Sequence, residues 1–409
     1  MKIKNLRPVG VGLAATCALF VAACGGSSSG GGGNGGGGSV TVGQISTLSG
    51  GIPFVEVPKG TKAYFDQLNR KGGINGVKVN FQSFDDKGDP SEAAQLARKL
   101  VLQEKAVAMV GNTSLTDCDT NKTFYESQKV GVIGVGPQPA CYSQPNWMPI
   151  NSGPYVSNQI LMKFAYDNLK AQNVCVIGQN EPTSIPSWKL QISDFEKQSG
   201  HKLALVSFAN DPTQNPTPQV VKAKGAGCDA LILHTIPPNF VAFVKAAKSV
   251  GLDASILCLG SAYDASVPKS LGKLAEPGAL GDKSKGLFVS SELAPWTTDD
   301  PALSEMKSGL QAAHVPLNFW SQSGWLTAET FVNGVKAKLK SGSSRQDVLN
   351  ALKSMPPFKT PQAGSPLVFG PGDKHSPNLS ARMITIKGGG WTTASDSWTS
   401  VPLPRFAKA

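Results

Sequence analysis

Charge is scarce in this chain, and so are the residues on which most catalytic centres depend. Only 16% of its 409 residues are Asp, Glu, Lys or Arg, 7% are aromatic and four are histidine. Those four (His201, His234, His314 and His375) are dispersed without metal-ligand spacing, so no metal centre is expected. The seven cysteines include no C-x-x-C pair, which disfavours zinc ribbons and thioredoxin-like redox sites. G-x-S-x-G, H-E-x-x-H and G-x-x-x-x-G-K-[ST] are all missing, and Gly134-Val135-Gly136 lacks the third glycine of a dinucleotide fingerprint. The expectation is therefore no enzyme and no cofactor. The formal charge is +11, but no dense Lys/Arg block is interleaved with aromatics, so a nucleic-acid partner is not expected. Beyond residue 24, no run reaches the roughly 20 apolar residues of a membrane span.

What is present is a long chain, 40% apolar, with 45 glycines, many of them in one early tract. Lys2, Lys4 and Arg7 precede an uncharged run from Val9 to Ala23, which has the length and flanks of a signal peptide. The run ends Val21-Ala22-Ala23-Cys24 and resembles the bacterial lipobox, in which the cysteine is lipidated and becomes the new N-terminus. Gly25 to Ser39 is almost pure Gly and Ser, a flexible coil reaching about 20 Å on average. The reading is a signal peptide over 1–23, then a lipidated Cys24 and tether over 24–39. A soluble extracytoplasmic body would follow, anchored to the membrane through its lipid. An oxidising compartment allows two disulfides and one free thiol among the five remaining cysteines. Cys118 and Cys141 flank one helix–strand unit and are paired. Spacing does not choose among Cys175, Cys228 and Cys258.

From Val40 the pattern alternates. Strand-like runs at 40–45, 77–81, 107–110 and 130–135 are separated by helical spacing at 61–70, 90–102 and 117–128. Several strands are continuous apolar runs, as in a parallel sheet covered on both faces. The alternation restarts with strands at 174–178, 203–208, 229–234, 255–259 and 287–290. Helices are expected at 187–199, 218–224, 239–250, 301–314, 322–340 and 345–353, before strand pairs in 366–391. Two consecutive open α/β sheets predict two Rossmann-like lobes.

Lys71-Gly72-Gly73-Ile74-Asn75-Gly76, followed by Asp85-Asp86 and Asp89-Pro90 before an Ala-rich helix, resembles the branched-chain amino-acid-binding proteins of ABC importers. So do the hydroxyl loop from Val110 to Thr116, the strand ending at Gly134 to Pro137, and Pro366 to Asp373. The resemblance covers about 350 residues and implies a type I periplasmic-binding fold. Its two α/β lobes would be 40–152 plus 293–377 and 153–292 plus 378–409, joined by three crossings near 152, 292 and 377, with a ligand cleft between them. It also implies a small amphipathic solute, such as an amino acid or a related amide or organic acid, delivered to an ABC permease. A sensory receptor domain of this fold and an anchored enzyme are the rival classes.

By the same resemblance, Thr113, Ser114 and Thr116 would hold the ligand carboxylate. The residue-level alternative is that Thr113 to Asp117 caps its own helix. The family's threonine after the next strand is replaced here by Pro137-Gln138, and Gln138 either supplies an amide or faces solvent. The aromatic lid falls near Ser184 to Trp188, where no tyrosine occurs and Trp188 is either a ligand platform or core. The ammonium-binding glutamate position falls on Ser261 to Asp264. Tyr263 is nearest, and Asp264 is either the counter-charge or a cap. Ser46, Leu48, Ser49 and Phe54 could wall the cleft, and His234 reads as a hydrogen-bonded structural histidine.

Overall fold

The computed structural model describes residues 37–406 apart from 51, 212–213, 283, 370–377 and 403. The expected signal segment, Cys24, most of the tether, Gly370 to Asp373 and His375 lie outside the described residues. Residues 37–409 form one compact unit.

Within it are two sheets. The first is five-stranded and wholly parallel: β1 (Ser39–Ser46), β2 (Lys78–Asp85), β3 (Ala108–Asn112), β4 (Gly131–Gly134) and β5 (Trp147–Pro149), in the order β2-β1-β3-β4-β5. Its crossovers are α1 (Glu56–Arg70), α2 (Pro90–Arg98) and α3 (Asp117–Ser127). The second sheet runs β12-β11-β10-β9-β8-β6-β7, with β13 paired to β11. Its parallel strands are β6 (Val174–Gln179), β7 (Leu205–Asn210), β8 (Ala230–Leu233), β9 (Ser255–Leu259) and β10 (Leu287–Ser291). The strands β11 (Ser380–Lys387), β12 (Gly390–Thr393) and β13 (Thr399–Ser400) pair antiparallel. Helices α4 (Gly153–Asp167), α5 (Ile185–Ser199), α6 (Thr217–Gly225), α7 (Pro237–Val250) and α8 (Ser266–Leu271) belong to this second lobe.

Helices α9 (Ser304–Ala312), α10 (Phe319–Val335) and α11 (Arg345–Lys353) follow β10 in sequence. The chain nevertheless returns to the first lobe there. Leu293, Phe331, Leu349, Leu367 and Phe369 share a core with Val42, Val110 and Ile133, whereas Ala381 and Met383 pack with Val176 and Leu257. Helix α10 lies against α1 at very close range. A Cβ on Gly60 would stand 2.1 Å from the Ser321 carbonyl oxygen, and one on Gly324 2.0 Å from that of Val57. Only glycine allows that approach.

Helix α4 was invisible to periodicity, because nearly every face of it is buried and no polar stripe marks it. The disulfides join Cys118 to Cys141 and Cys175 to Cys228, and Cys258 is a buried free thiol. Among the described residues no helix is long and apolar enough to cross a membrane.

Candidate functional site

The C-terminal ends of parallel strands carry the loops that line a cleft in open α/β folds. Here those loops border a space of about 740 Å³, part of it open to solvent. One wall comes from the first lobe: Ile52 and Phe54 after β1, Thr113 and Leu115 after β3, Val135 to Pro137 after β4, and Phe319 and Trp320 at the start of α10. Phe54 and Trp320 meet with ring centroids 4.9 Å apart, so this wall is largely aromatic and aliphatic.

Its polar groups are mostly engaged within the wall. The Thr113 N–H donates to the Ile45 carbonyl (3.2 Å) and its hydroxyl to the Gly111 carbonyl (3.2 Å). Leu115 N–H donates to Thr47 Oγ1 (3.1 Å). The Ser114 hydroxyl donates to the buried carboxylate of Asp86 and accepts from the N–H groups of Thr116 (3.0 Å) and Asp117 (2.9 Å). Thr116 Oγ1 lies 3.5 Å from the same carboxylate. Behind the loop, Asp117 accepts from Asn112, Asn121 and Tyr125, each at 2.8 Å. Burial pushes its pKa up to about 6, against the pull of those hydrogen bonds.

The opposite wall and the back of the cleft carry most of its polar side chains, Asn151, Gln179, Glu181, His234, Thr235, Ser261 and Glu292, set among Pro154, Trp188, Ile236 and Leu259. Asn151 clamps Gly136, accepting from its N–H (2.8 Å) and donating to its carbonyl (3.2 Å). Glu292 follows β10 and is buried at the N-terminus of α4. It accepts from the Gly153 N–H (2.9 Å) and the Ser157 hydroxyl (3.1 Å), where the helix dipole favours negative charge. Its own carbonyl accepts from Asn378 Nδ2 (2.7 Å). Glycine is required at 153: φ is +76°, and a Cβ would lie 1.9 Å from the Tyr142 hydroxyl. Burial raises the pKa of Glu292 above the ordinary carboxylate value, with these hydrogen bonds opposing the shift. Glu181 is raised by the same cause and receives the Ser184 hydroxyl at 3.3 Å.

The ion pairs among the described residues do not include either glutamate, and no Lys or Arg lines the cleft. His234 supplies no cation either. Burial pulls its pKa down to about 3, its Nε2 pairs with Asn158 Oδ1 (2.9 Å), and Trp188 packs tilted against its ring with centroids 4.0 Å apart. The cleft thus presents two carboxyl groups and no positive side chain.

The periplasmic binding protein family profile matches residues 39–390. The chain belongs to the periplasmic binding protein family. This periplasmic binding protein is 21% identical over 314 residues to Leu/Ile/Val-binding protein homolog 1 of Brucella abortus, covering 75% of this chain and 79% of that one. It is also 21% identical over 236 residues to a leucine-, isoleucine-, valine-, threonine- and alanine-binding protein of Pseudomonas aeruginosa, covering 55% and 58%. Among solved structures, a branched-chain amino acid ABC transporter protein of Thermus thermophilus with bound valine superposes with a TM-score of 0.77 at 16% identity, covering 90% of this chain and 98% of that one. A solute-binding protein of R. palustris in complex with 4-hydroxybenzoate gives 0.70 at 16%, covering 88% and 97%. These likenesses show the two-lobed type I fold.

Of the seven ligand residues expected from sequence, Thr113 lines the cleft. Ser114 and Thr116 stand just behind it, held by Asp86. Gln138 is buried beside the cleft loop, with Oε1 lacking a partner. Ser184 is buried between Tyr155 and Glu181. Tyr263 is in the second lobe's core, its hydroxyl 2.6 Å from Thr297 Oγ1 and its ring stacked on Trp296. Asp264 caps the turn into α8 by accepting from Ser266 N–H (2.8 Å). Phe54, Trp188 and His234 do line the cleft, as does Ser261 from the loop before Tyr263. Glu181, Asn151, Glu292, Phe319 and Trp320 escaped the sequence reading. The one signal for Glu292 is an acid directly after a buried strand, at an expected crossing.

Proposed function

We propose that this chain is a lipid-anchored solute-binding component of an ABC importer. It captures a small amphipathic ligand that bears an ammonium group, an amino acid or an amide-like relative, and performs no chemistry on it. The observation that carries the reading is the pair of cleft carboxyl groups without a cationic partner, Glu292 and Glu181, facing an aromatic wall. Leaving a carboxylate desolvated and unpaired is costly, and a ligand ammonium removes that cost when the cleft closes. The apolar part of the ligand lies against Phe54, Phe319 and Trp320, and Thr113 reaches it from the first lobe. Ser114 and Thr116 shape that loop. Asp264 gives way to Glu292 as the counter-charge. The lobes are 40–152 with 293–377 and 153–292 with 378–409, and they hinge at the crossing that Glu292 occupies.

A second reading, an aromatic acid, draws on the aromatic wall and on the relative that holds 4-hydroxybenzoate. Two unpaired carboxyls oppose a simple anion. A thermal-shift screen over amino acids, amines, amides and aromatic acids separates the two. A ligand at 100 times its dissociation constant adds about 2.7 kcal/mol. Shifts are expected with ammonium-bearing compounds, and shifts with aromatic acids alone would reject the proposal.

A further inference from the structure

The first lobe has a second hollow, at the opposite end of its sheet from the cleft. The strands of that sheet are parallel, so the residues that precede β3 and β4 share one edge with the start of β1. Lys105 and Lys129 precede β3 and β4. With Arg345 at the start of α11, they border an open hollow of about 740 Å³ that has no acidic residue in its lining. Arg345 is fixed in place by its guanidinium, which donates to the carbonyls of Gln128 and Val101, both at 3.0 Å. Lys336, Lys338 and Lys340 are exposed on the segment after α10. The acids nearby keep their charge but are outnumbered. Asp347 is held in the α11 cap by Ser344, Glu104 receives Gln82, and Glu126 stands near Lys353, against the cations Lys105, Lys129, Lys336, Lys338, Lys340, Arg345 and Lys353.

The described chain enters the fold at this same end. Gly38 packs so closely on Ser341 that a Cβ there would fall 2.0 Å from its Oγ.

We propose that this basic end docks on the anionic phospholipid surface to which the N-terminal segment tethers the protein. The inference rests on the lipid-anchored reading, which supplies the membrane and holds it within about 20 Å of residue 39. A cation close to an anionic bilayer contributes roughly fivefold in affinity, and the attraction fades beyond a screening length of about 8 Å. Docked this way, the protein turns its cleft away from the bilayer and toward incoming solute. Presentation to a permease then requires release and reorientation on the tether.

The test uses the full chain purified from an exporting host, mixed with vesicles of phosphatidylcholine alone or with phosphatidylglycerol. Flotation with phosphatidylcholine vesicles reports on the lipid anchor and not on the basic end. The basic end is read by amine acylation and peptide mapping. On phosphatidylglycerol, Lys105 and Lys129 should react several-fold more slowly than on phosphatidylcholine, while exposed Lys245 of the second lobe is unchanged. The protection should vanish at about 0.5 M salt and fall in the Arg345→Gln variant, which loses one of the several cations. Equal rates on the two lipids, or protection that survives salt, would overturn the inference. If the chain does not float with phosphatidylcholine, salt-sensitive flotation with phosphatidylglycerol supports the inference. No flotation on either lipid overturns it.

Discussion

The two walls of the cleft solve different problems. The first-lobe wall is closed on itself. Its loop hydroxyls and N–H groups are largely consumed by Asp86, Thr47 and one another, and it offers the ligand mainly apolar area. The wall from the second lobe and the crossing is left open, with two glutamates lacking a cation and a histidine forced to stay neutral. In the proposed function the apolar wall supplies shape, and the two carboxyl groups opposite, hydrogen-bonded but without a cation, supply the charge that selects the ligand.

The pH response should differ in sign between the walls, and this is the largest expected effect. His234 has a folded pKa of about 3, below its usual 6.5. It therefore contributes stability above pH 6.5 that is lost as pH falls toward 3. By linkage the loss approaches about 5 kcal/mol. Chemical denaturation of His234→Gln across that window should show a clearly shallower acid loss; an unaltered slope would remove His234 from the account. Asp117, behind the other wall, has a folded pKa of about 6, above its usual 3.8. Its contribution is complete below pH 3.8 and is lost as pH rises through 6, by about 3 kcal/mol. Asp117→Asn should abolish that component. Parallel slopes for the two variants would break the contrast between the walls.

A smaller effect tests the closed wall directly. Ser114→Ala strips a donor from buried Asp86 and an acceptor from the first turn of α3, so stability should fall by about 1–3 kcal/mol. Ligand affinity should change less than stability. A variant with full stability and lost binding would return Ser114 to the ligand.

How much of this was legible in the sequence follows the same division. Alternating strands and helices could be read because continuous apolar runs such as Val107 to Val110 and glycine stops such as Gly251 carry local signals. Helix α4 could not, because it is buried nearly all round. The loops of the first wall could be located because they follow strand ends at fixed places. Whether Ser114 faces a ligand or Asp86 depends on a residue 28 positions away. Tyr263 and Asp264 stand one turn beyond a cleft residue, Ser261, and that small offset sends them into the core and a cap. Glu292 has no motif. Its meaning arises only when the chain brings it to the start of α4 and beside Asn378.

The central claim is that Glu292 is the counter-charge for a ligand ammonium. It is tested by calorimetric titration of leucine and of 4-methylpentanoate, which has the same side chain and carboxylate but no ammonium, into the wild-type protein and Glu292→Gln. If leucine is not the best hit of the screen, that hit and its ammonium-free counterpart replace the pair. The account predicts that the wild type prefers the ammonium-bearing compound, and that its affinity rises with pH as the elevated carboxyl of Glu292 ionises. It predicts that Glu292→Gln weakens that compound by about 2–5 kcal/mol, removes the pH dependence and does not weaken the ammonium-free compound. Undiminished binding of the ammonium-bearing compound by Glu292→Gln, with Asp264→Asn weakened instead, would contradict it.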